Sequence, residues 1–275
     1  MSRTDPALRM AARAMVETDR LFGLPEVPGA EPGPEHAIGD AGRSRGSELS
    51  ETTSHAASPV KTAPVVSSGS TILVPAIDPM SLGDDVVTRL KGIEAAHAEG
   101  CPHCTTSTTH RSMVFGDGDP TAPVMFVGEA PGAEEDRVGR PFVGPAGELL
   151  DRMIDSVGLS RDGVYIANVV KVRPPENRTP RPDECESCGP WLLAQIVAIR
   201  PRVVVSLGAT PTKYLLQTST GITRLRGCPA QITIGSFSVP VVPTFHPAYV
   251  LRQYTAEVRR AVWEDLKQAV AIASE

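Results

Sequence analysis

Short apolar runs that alternate with helical patterns constrain the fold of this chain most strongly. Nearly continuous apolar runs span residues 123–128, 164–170 and 203–208, and two further short strands are predicted within 231–245. Helical spacing is found in residues 84–99, 147–157, 183–199, 210–216 and 255–273. Because strands this apolar are buried on both faces, the pattern predicts a three-layer α/β/α fold with a mainly parallel four-stranded central sheet.

The first third of the 275-residue chain has a different composition from the rest. Residues 25–70 are rich in Pro, Gly, Ser, Ala, Thr and Glu, and such a segment buries too little apolar surface to offset its chain entropy. We therefore predict a largely disordered extension over residues 1–80, with a short helix near 5–22, followed by a folded domain over residues 81–275.

Charge and hydropathy exclude some classes of protein. Twenty-seven basic against 32 acidic residues give a net charge of −5, which argues against a protein that coats DNA but allows a local basic rim. The sequence has no secretory signal pattern and no apolar run long enough for a membrane span, so a cytoplasmic location is expected.

The loop after the first apolar run is the richest in chemistry. It begins at Glu129, is rich in Gly and Pro, and contains a lone aromatic residue, Phe142. α/β proteins place ligand sites at the carboxyl ends of strands, but a phosphate-binding loop would carry a lysine where this loop carries acids. The loop is typical of a site for a flat neutral ligand and for water chemistry.

Four cysteines form two Cys-x2-Cys pairs, Cys101–Cys104 and Cys185–Cys188. Two such pairs indicate a four-thiolate site for structural zinc or an iron–sulfur cluster, and the spacing does not separate these metals. Unrelated free thiols are the alternative. Cys228 is interpreted as an ordinary thiol.

Polar and basic residues occupy the loops at the predicted strand ends. Asn168 offers a donor and an acceptor that suit the edge of a base, although a turn asparagine is the alternative. His246 is a candidate hydrogen-bond donor or an ordinary turn histidine. The basic residues that flank these loops predict a local rim for nucleic acid, with solvated loop charges as the alternative: Lys171, Arg173, Arg178, Arg181, Arg224, Arg226 and Arg252.

From the first Cys pair to its last residue, the chain resembles the family 4, iron–sulfur uracil-DNA glycosylases. The motifs that carry the resemblance are GEAPGAEEDRVGRPFVGPAGELLDRM, VYIANVVKVRPPENRTPRPDE, VVVSLGA, the Arg226-Gly227 pair and FHPAYVLR, in that order. The resemblance implies the fold of that family and release of uracil from DNA, which starts base-excision repair.

The resemblance also implies residue roles. Glu129 activates water, Phe142 stacks on the flipped uracil, and Asn168 reads the uracil edge. His246 supports the leaving uracil, and Ala130 and Asn177 line its pocket. The residues expected to contact DNA are Lys171, Arg173, Arg178, Arg226, Tyr249, Leu251 and Arg252, with Tyr249, Val250 and Leu251 as a wedge that fills the gap left by the flipped base.

One departure from the family concerns the metal. The family has a cysteine directly after the lysine that follows the second strand, and this chain has Val172 there. Because positions i and i+3 share a helix face, Cys185 is the obvious substitute, giving a site of Cys101, Cys104, Cys185 and Cys188. A 4Fe–4S cluster is expected, with zinc or loss of the metal as alternatives.

Other interpretations stay open at this point. A sister branch forms a covalent DNA adduct through a His in an insert that VKVRPPENRTP lacks, so ordinary hydrolysis is expected. The alternatives are a catalytically weak or inactive protein that binds damaged DNA and a metal or redox protein unrelated to nucleic acid. The expected partners of a monomeric enzyme are single- or double-stranded DNA that contains uracil and a repair or replication protein bound by the extension.

Overall fold

A computed structural model describes residues 72–108 and 110–275. The apolar runs form the centre of a seven-stranded sheet with the order β1-β6-β7-β5-β3-β4-β2. Its strands are β1 (Ile72–Leu73), β2 (Asp117–Gly118), β3 (Val124–Gly128), β4 (Tyr165–Asn168), β5 (Val203–Leu207), β6 (Ala230–Ile234) and β7 (Phe237–Thr244).

Four parallel strands in the middle of the sheet determine where the site lies. β4, β3, β5 and β7 pair in parallel as neighbours, so their carboxyl ends meet at one edge. In this register Gly128 is level with Asn168. The predicted four-stranded parallel sheet is thus the centre of a wider one, since β2 and β6 add antiparallel neighbours and β1 pairs with β6. Two-residue strands such as β1 and β2 carry no alternation that a sequence could reveal.

Helices cover both faces of this sheet. In chain order the helices of the described residues are α1 (Val86–Gly100), α2 (Pro102–Thr106), α3 (Ala133–Val138), α4 (Pro145–Asp155), α5 (Pro182–Ile199), α6 (Ala209–Leu216), α7 (Ile222–Leu225), α8 (Pro247–Arg252) and α9 (Ala256–Ser274). None of these helices combines the length and the apolar character that crossing a bilayer requires.

Alternate residues of β3 belong to two separate cores. Met125 and Val127 pack in the core that includes α5, whereas Val124 and Phe126 pack in the core that includes α4 and α9. Since successive side chains of a strand point to opposite faces, this division confirms the predicted three-layer α/β/α fold.

The bounds of the predicted elements agree with the structure to within about two residues. The end of β4 and the start of the folded domain are the two differences that bear on the site. β4 ends at Asn168, before the predicted 170, because Val169 and Val170 donate to the carbonyls of Gly128 and Glu129 as the chain leaves the sheet. The predicted domain start at residue 81 is too late: β1 pairs with β6, and Ala76 N donates to Pro190 O at 3.0 Å. The rest of the predicted extension, with its helix near 5–22, lies outside the described residues.

Candidate active site and metal centre

A cleft of about 390 Å³ opens at the edge where the parallel strands end. Loops that follow β3, β4 and β7 supply its walls. The six residues predicted to surround a base all line this cleft: Glu129, Ala130, Phe142, Asn168, Asn177 and His246.

The loop after β3 is pinned by one carboxylate. Glu135 Oε1 accepts from the backbone N–H groups of Val143 and Gly144 at 2.9 and 3.0 Å, and Oε2 accepts from Gly132 at 3.1 Å. Phe142 lies between these anchors with φ of 52°, a conformation that is uncommon for a non-glycine residue and persists only where neighbours enforce it. Arg161 adds a bond from Nη1 to Phe142 O at 2.9 Å. The loop therefore presents the Phe142 ring as a fixed surface.

Asn168 brings a buried and unsatisfied amide to the cleft. Its side chain is 1% exposed, and Oδ1 has no hydrogen-bond partner among the described residues. A Cβ added at Gly128 would lie 2.3 Å from this oxygen and 2.6 Å from the Phe142 ring, so the two side chains meet over a glycine. Because buried polar atoms are nearly always paired, the free oxygen indicates a ligand that donates a hydrogen bond.

His246 begins α8 at the opposite wall. Its Nδ1 accepts from Ala248 N at 3.1 Å, and its ring centroid lies 5.7 Å from that of Phe142. Burial lowers the pKa of His246 to about 4, with a smaller contribution from the charge of Arg252. The imidazole is therefore neutral at pH 7, and its proton is on Nε2 because Nδ1 is an acceptor.

Glu129 directly follows β3 and is half-buried. Thr210, in the first turn of α6, donates through Oγ1 to Glu129 Oε2 at 2.5 Å. This contact across the strand ends holds the carboxylate at the cleft and leaves Oε1 for a water or a substrate.

A second group of reactive side chains lies in the core that includes α5. His97, Cys101, Cys104 and Cys188 are buried, and their ligand atoms all lie within 4.8 Å of one another. Cys188 Sγ is 3.4 Å from Cys104 Sγ and 3.6 Å from His97 Nε2. A buried set of three sulfurs and one imidazole is a donor set that metal ions prefer.

Comparisons with known proteins agree with this geometry. A sequence profile described as the uracil DNA glycosylase superfamily matches residues 115–267. A type-4 uracil-DNA glycosylase of Thermotoga maritima is 45% identical over 181 residues, which are 66% of this chain and 93% of that protein. The chain belongs to the uracil DNA glycosylase superfamily.

Other relatives in the superfamily include a second enzyme type. A type-4 uracil-DNA glycosylase of Archaeoglobus fulgidus is 42% identical over 172 residues, 61% of this chain and 85% of that protein. A type-5 uracil-DNA glycosylase of Pyrobaculum aerophilum is 39% identical over 115 residues, 36% of this chain and 50% of that protein. The family resemblance drawn from the motifs is thereby confirmed.

Two residues predicted to bind DNA have internal roles instead. Lys171 is completely buried, and its Nζ donates to Asn168 O at 2.8 Å, so the prediction that Lys171 contacts DNA is wrong. Arg226 donates to both carboxylate oxygens of Asp265, at 3.0 and 2.6 Å, which commits its guanidinium to the domain interior. A sequence shows that a residue is basic but not which way its loop turns.

The other predicted DNA contacts lie at or near the cleft. Arg178 forms a bidentate pair with Glu184 at 2.8 and 2.6 Å, and this bond is the main reason that the pKa of Glu184 falls to about 2. Arg173 donates to Asn177 Oδ1 at 2.7 Å, which orders the asparagine at the rim. Arg252 lines the cleft and is exposed.

The predicted wedge is only partly available. Tyr249 and Leu251 are exposed on α8, whereas Val250 is 1% exposed and packs in the core that includes α4 and α9. In a short helix, neighbouring residues point in different directions, so three consecutive residues cannot share one face. The available surface is therefore formed by Tyr249 and Leu251.

The residues around the metal centre do not fit the four-thiolate cluster that the resemblance implies. Val172 is buried beside the cysteines, and Cys185 is not part of the group within 4.8 Å. Cys185 precedes Cys188 by three helical positions, which displaces it by about 4.5 Å along the axis of α5. The fourth donor is His97, which the sequence argument missed even though His97, Cys101 and Cys104 follow an i, i+4, i+7 spacing.

Thr210 and Glu135 were also not assigned a role from the sequence. Glu135 lies three residues after Gly132, the capping-box spacing at the start of α3, which is a recognisable signal for a carboxylate that bonds backbone N–H groups. Thr210 has no such signal, because its contact with Glu129 joins residues 81 positions apart.

Proposed function

We propose that this protein is a uracil-DNA glycosylase, which hydrolyses the N-glycosidic bond of a deoxyuridine flipped out of DNA and so starts base-excision repair. The observation that carries the proposal is the buried Oδ1 of Asn168, which has no partner within the described part of the chain and lies beside the fixed ring of Phe142. This pair of groups suits a flat ligand whose edge bears an N–H donor, as uracil does at N3.

Recognition in this proposal combines stacking with an amide contact. A base inside duplex DNA is unreachable, and extruding it costs a few kcal/mol. Stacking on Phe142 offsets about 1–3 kcal/mol of that cost. Asn168 accepts from uracil N3–H and donates to uracil O4. The N4 amine of cytosine is itself a donor and would face the donor of Asn168, so both buried groups would stay unpaired. A mismatch of this kind discriminates strongly between uracil and cytosine.

Bond cleavage separates charge that the cleft is arranged to stabilise. The bond between C1′ and N1 breaks, its electron pair leaves with uracil, and positive charge develops on the sugar. The neutral His246 donates from Nε2 to uracil O2 and stabilises the anion. Glu129, held by Thr210, stabilises the cationic sugar and orients the water. The oxygen of this water bonds to C1′ while its proton passes to the Glu129 carboxylate.

The rim of the cleft suits a DNA strand. Tyr249 and Leu251 are exposed on α8, the helix that His246 begins, so they can fill the gap left by the extruded base. Arg252 lies at the end of the same helix and lines the cleft, where it can contact a neighbouring phosphate.

The deciding experiment measures release of free uracil from single- and double-stranded oligonucleotides that contain one deoxyuridine, with thymine as the negative substrate. We expect release from uracil DNA only, and a loss of about 100-fold or more in Glu129→Gln, which keeps the shape of the side chain but not its charge. Glu134→Gln is the matched control, since Glu134 is exposed and paired with Arg137. An inactive wild-type protein with its metal in place, or equal activity of both variants, would refute the proposal.

A protein that binds damaged DNA without cleaving it is the second candidate. The observation that favours it is Val172, which replaces a ligand of the family and marks a changed metal site. Tight binding to uracil DNA without release of the base would establish this candidate and exclude the first.

Four finer points stay predictions. For the metal centre, the sequence predicts a 4Fe–4S cluster, with zinc or loss of the metal as alternatives. A repair or replication partner for residues 1–80, a monomeric state and a cytoplasmic location are expected from the sequence alone.

A further inference from the structure

We propose that this chain binds a single zinc ion, tetrahedrally coordinated by Cys101, Cys104, Cys188 and His97, where its family resemblance implies a 4Fe–4S cluster. The proposal concerns the composition of the metal centre and does not depend on the glycosylase reaction, so the two can fail separately.

Distances between the donor atoms favour one ion over a cluster. With metal–sulfur bonds of about 2.3 Å and a metal–nitrogen bond of about 2.05 Å, the edges of a tetrahedral site are about 3.8 Å between sulfurs and about 3.6 Å between sulfur and nitrogen. The structure has 3.4 Å for Cys104 Sγ to Cys188 Sγ and 3.6 Å for Cys188 Sγ to His97 Nε2. In an iron–sulfur cube each thiolate binds a different iron, so the four donors must surround the whole cube and lie farther apart than these atoms do.

The residues next to the group do not complete a compact four-thiolate set. Val172 has no donor atom, yet it is fully buried in the same core as the three cysteines. Cys185 is buried too, but its thiol is outside the group of four donors. Three thiolates and an imidazole are an established set for structural zinc, whereas the usual iron–sulfur set is four thiolates.

The proposed site lies where α1 ends and α2 begins, against the side of α5. α1 ends at Gly100, and Cys101 N donates to His97 O at 3.1 Å, so the imidazole lies one turn before the first thiol. Cys104 follows in α2, and Cys188 approaches from α5. Trp191 packs edge-on against the His97 ring at 5.4 Å, which fixes the ring orientation. All four donors are buried, as expected for a closed structural site.

Charge balance also suits one zinc ion. Zn²⁺ with three thiolates and a neutral imidazole has a net charge of −1. Lys171 is completely buried in the same part of the domain, and its backbone N–H donates to Cys188 Sγ at 3.2 Å. Because Lys171 Nζ also binds Asn168 O, an ion at this site would order the strand end that carries the amide of the cleft.

The first experiment determines the composition of the full-length protein. It is produced with both iron and zinc supplied, purified without oxygen, and analysed for metals and acid-labile sulfide. We expect about one zinc per chain, no iron above background and no absorption near 400 nm. The X-ray absorption spectrum at the zinc edge should show three sulfurs and one nitrogen at about 2.3 and 2.0 Å. Iron and sulfide at several equivalents, protein without metal, or zinc with four sulfur ligands would each overturn the proposal.

Paired variants test the assignment of the fourth ligand. His97→Ala should weaken zinc binding by at least about 100-fold. Loss of a residue that only hydrogen-bonds to a metal ligand already lowers metal affinity by about 10- to 100-fold. Cys185→Ser is the matched control, a buried thiol three residues from a ligand, and should keep the zinc of the wild type. Zinc retained by His97→Ala and lost by Cys185→Ser would overturn the role of His97. If His97→Ala does not fold, the absorption spectrum of the wild type decides the ligand set.

Discussion

Asn168 and His246 carry opposite hydrogen-bonding roles at the two walls of the cleft. Asn168 presents an acceptor without a partner among the described residues, and His246 presents Nε2–H because its Nδ1 accepts from Ala248 N. Both assignments depend on contacts between side chain and backbone that no sequence pattern specifies. Each leads to a test at the level of one residue.

Replacing the Asn168 amide by a carboxylate tests whether this residue recognises the base. Asn168→Asp keeps the size of the side chain but removes the donor to uracil O4, so we expect kcat/KM for uracil release to fall by about 10- to 100-fold. Single-turnover release under excess enzyme measures the change. Asn177→Ala, at the exposed rim, should lower the same rate less; a larger effect at Asn177 would contradict the role of Asn168.

The lowered pKa of His246 predicts a dependence of stability on pH. Between pH 6.5 and about 4 the unfolded chain binds a proton at this residue and the folded protein does not, so the free energy of unfolding falls as the pH is lowered through this window. Above pH 6.5 the contribution of His246 to the free energy of unfolding is constant. Between pH 6.5 and about 4, this free energy falls by at most about 3 kcal/mol because of His246.

Denaturant unfolding of the wild type and His246→Gln at several pH values between 4 and 7.5 isolates this contribution. The difference in the free energy of unfolding between the two proteins should change across that window and be constant above it. A difference that does not vary with pH would show that His246 titrates normally.

Among the elements, the end of β3 has little room for added atoms. Gly128 is the last residue of this strand, and it is level with Asn168 of β4. Asn168 Oδ1 and the Phe142 ring close over its α-carbon, while Glu135 fixes the loop that follows. The ends of β3 and β4 and the loop after β3 thus meet where only a glycine fits.

Gly128→Ala should therefore damage the cleft more than the fold. The new Cβ would lie within 2.6 Å of both Asn168 and Phe142, and overpacking of this kind costs about 1–3 kcal/mol. We expect uracil release to fall at least about 10-fold while circular dichroism stays native. Gly221→Ala is the control, because Gly221 has a φ of −70° and nothing within 4 Å of its added Cβ. Equal activity of the two variants would refute this packing argument.

At the scale of the whole molecule, the proposed metal centre joins parts of the chain that are far apart in sequence. Cys104 and Cys188 lie 84 positions apart and bring α2 and α5 together. A chain cross-linked in this way loses stability when its metal is removed, because the free energy of metal binding is part of the free energy of folding.

Metal removal should consequently lower the thermal unfolding midpoint. A loss of about 3 kcal/mol corresponds to about 6–12 °C in a domain of this size. Thermal unfolding before chelation, after chelation and after addition of zinc measures the effect, and zinc should restore the original midpoint. An unchanged midpoint in protein shown to be metal-free would mean that the centre does not support the fold.

Most of the fold was predictable because its signals are local. The apolar runs around Val124–Gly128 and Val203–Leu207 and the helical spacing of Pro182–Ile199 depend on residues close in sequence, and the structure places them as predicted. β1 and β2 were not predictable, since two residues carry no period. The cleft was predictable as far as parallel strand ends gather at one edge of a sheet.

The sequence by itself determined the layered α/β fold, the edge of the sheet that bears the site and the motifs of the family. Only the tertiary structure decided that Lys171 is buried beneath Asn168, that Arg226 binds Asp265 and that His97 rather than Cys185 joins the metal centre. The physical reason is that residue type and spacing fix which groups are available and on which face of an element they lie. Which groups meet depends on how elements distant in sequence pack, and the burial and pairing of a charge or a thiol follow from that packing.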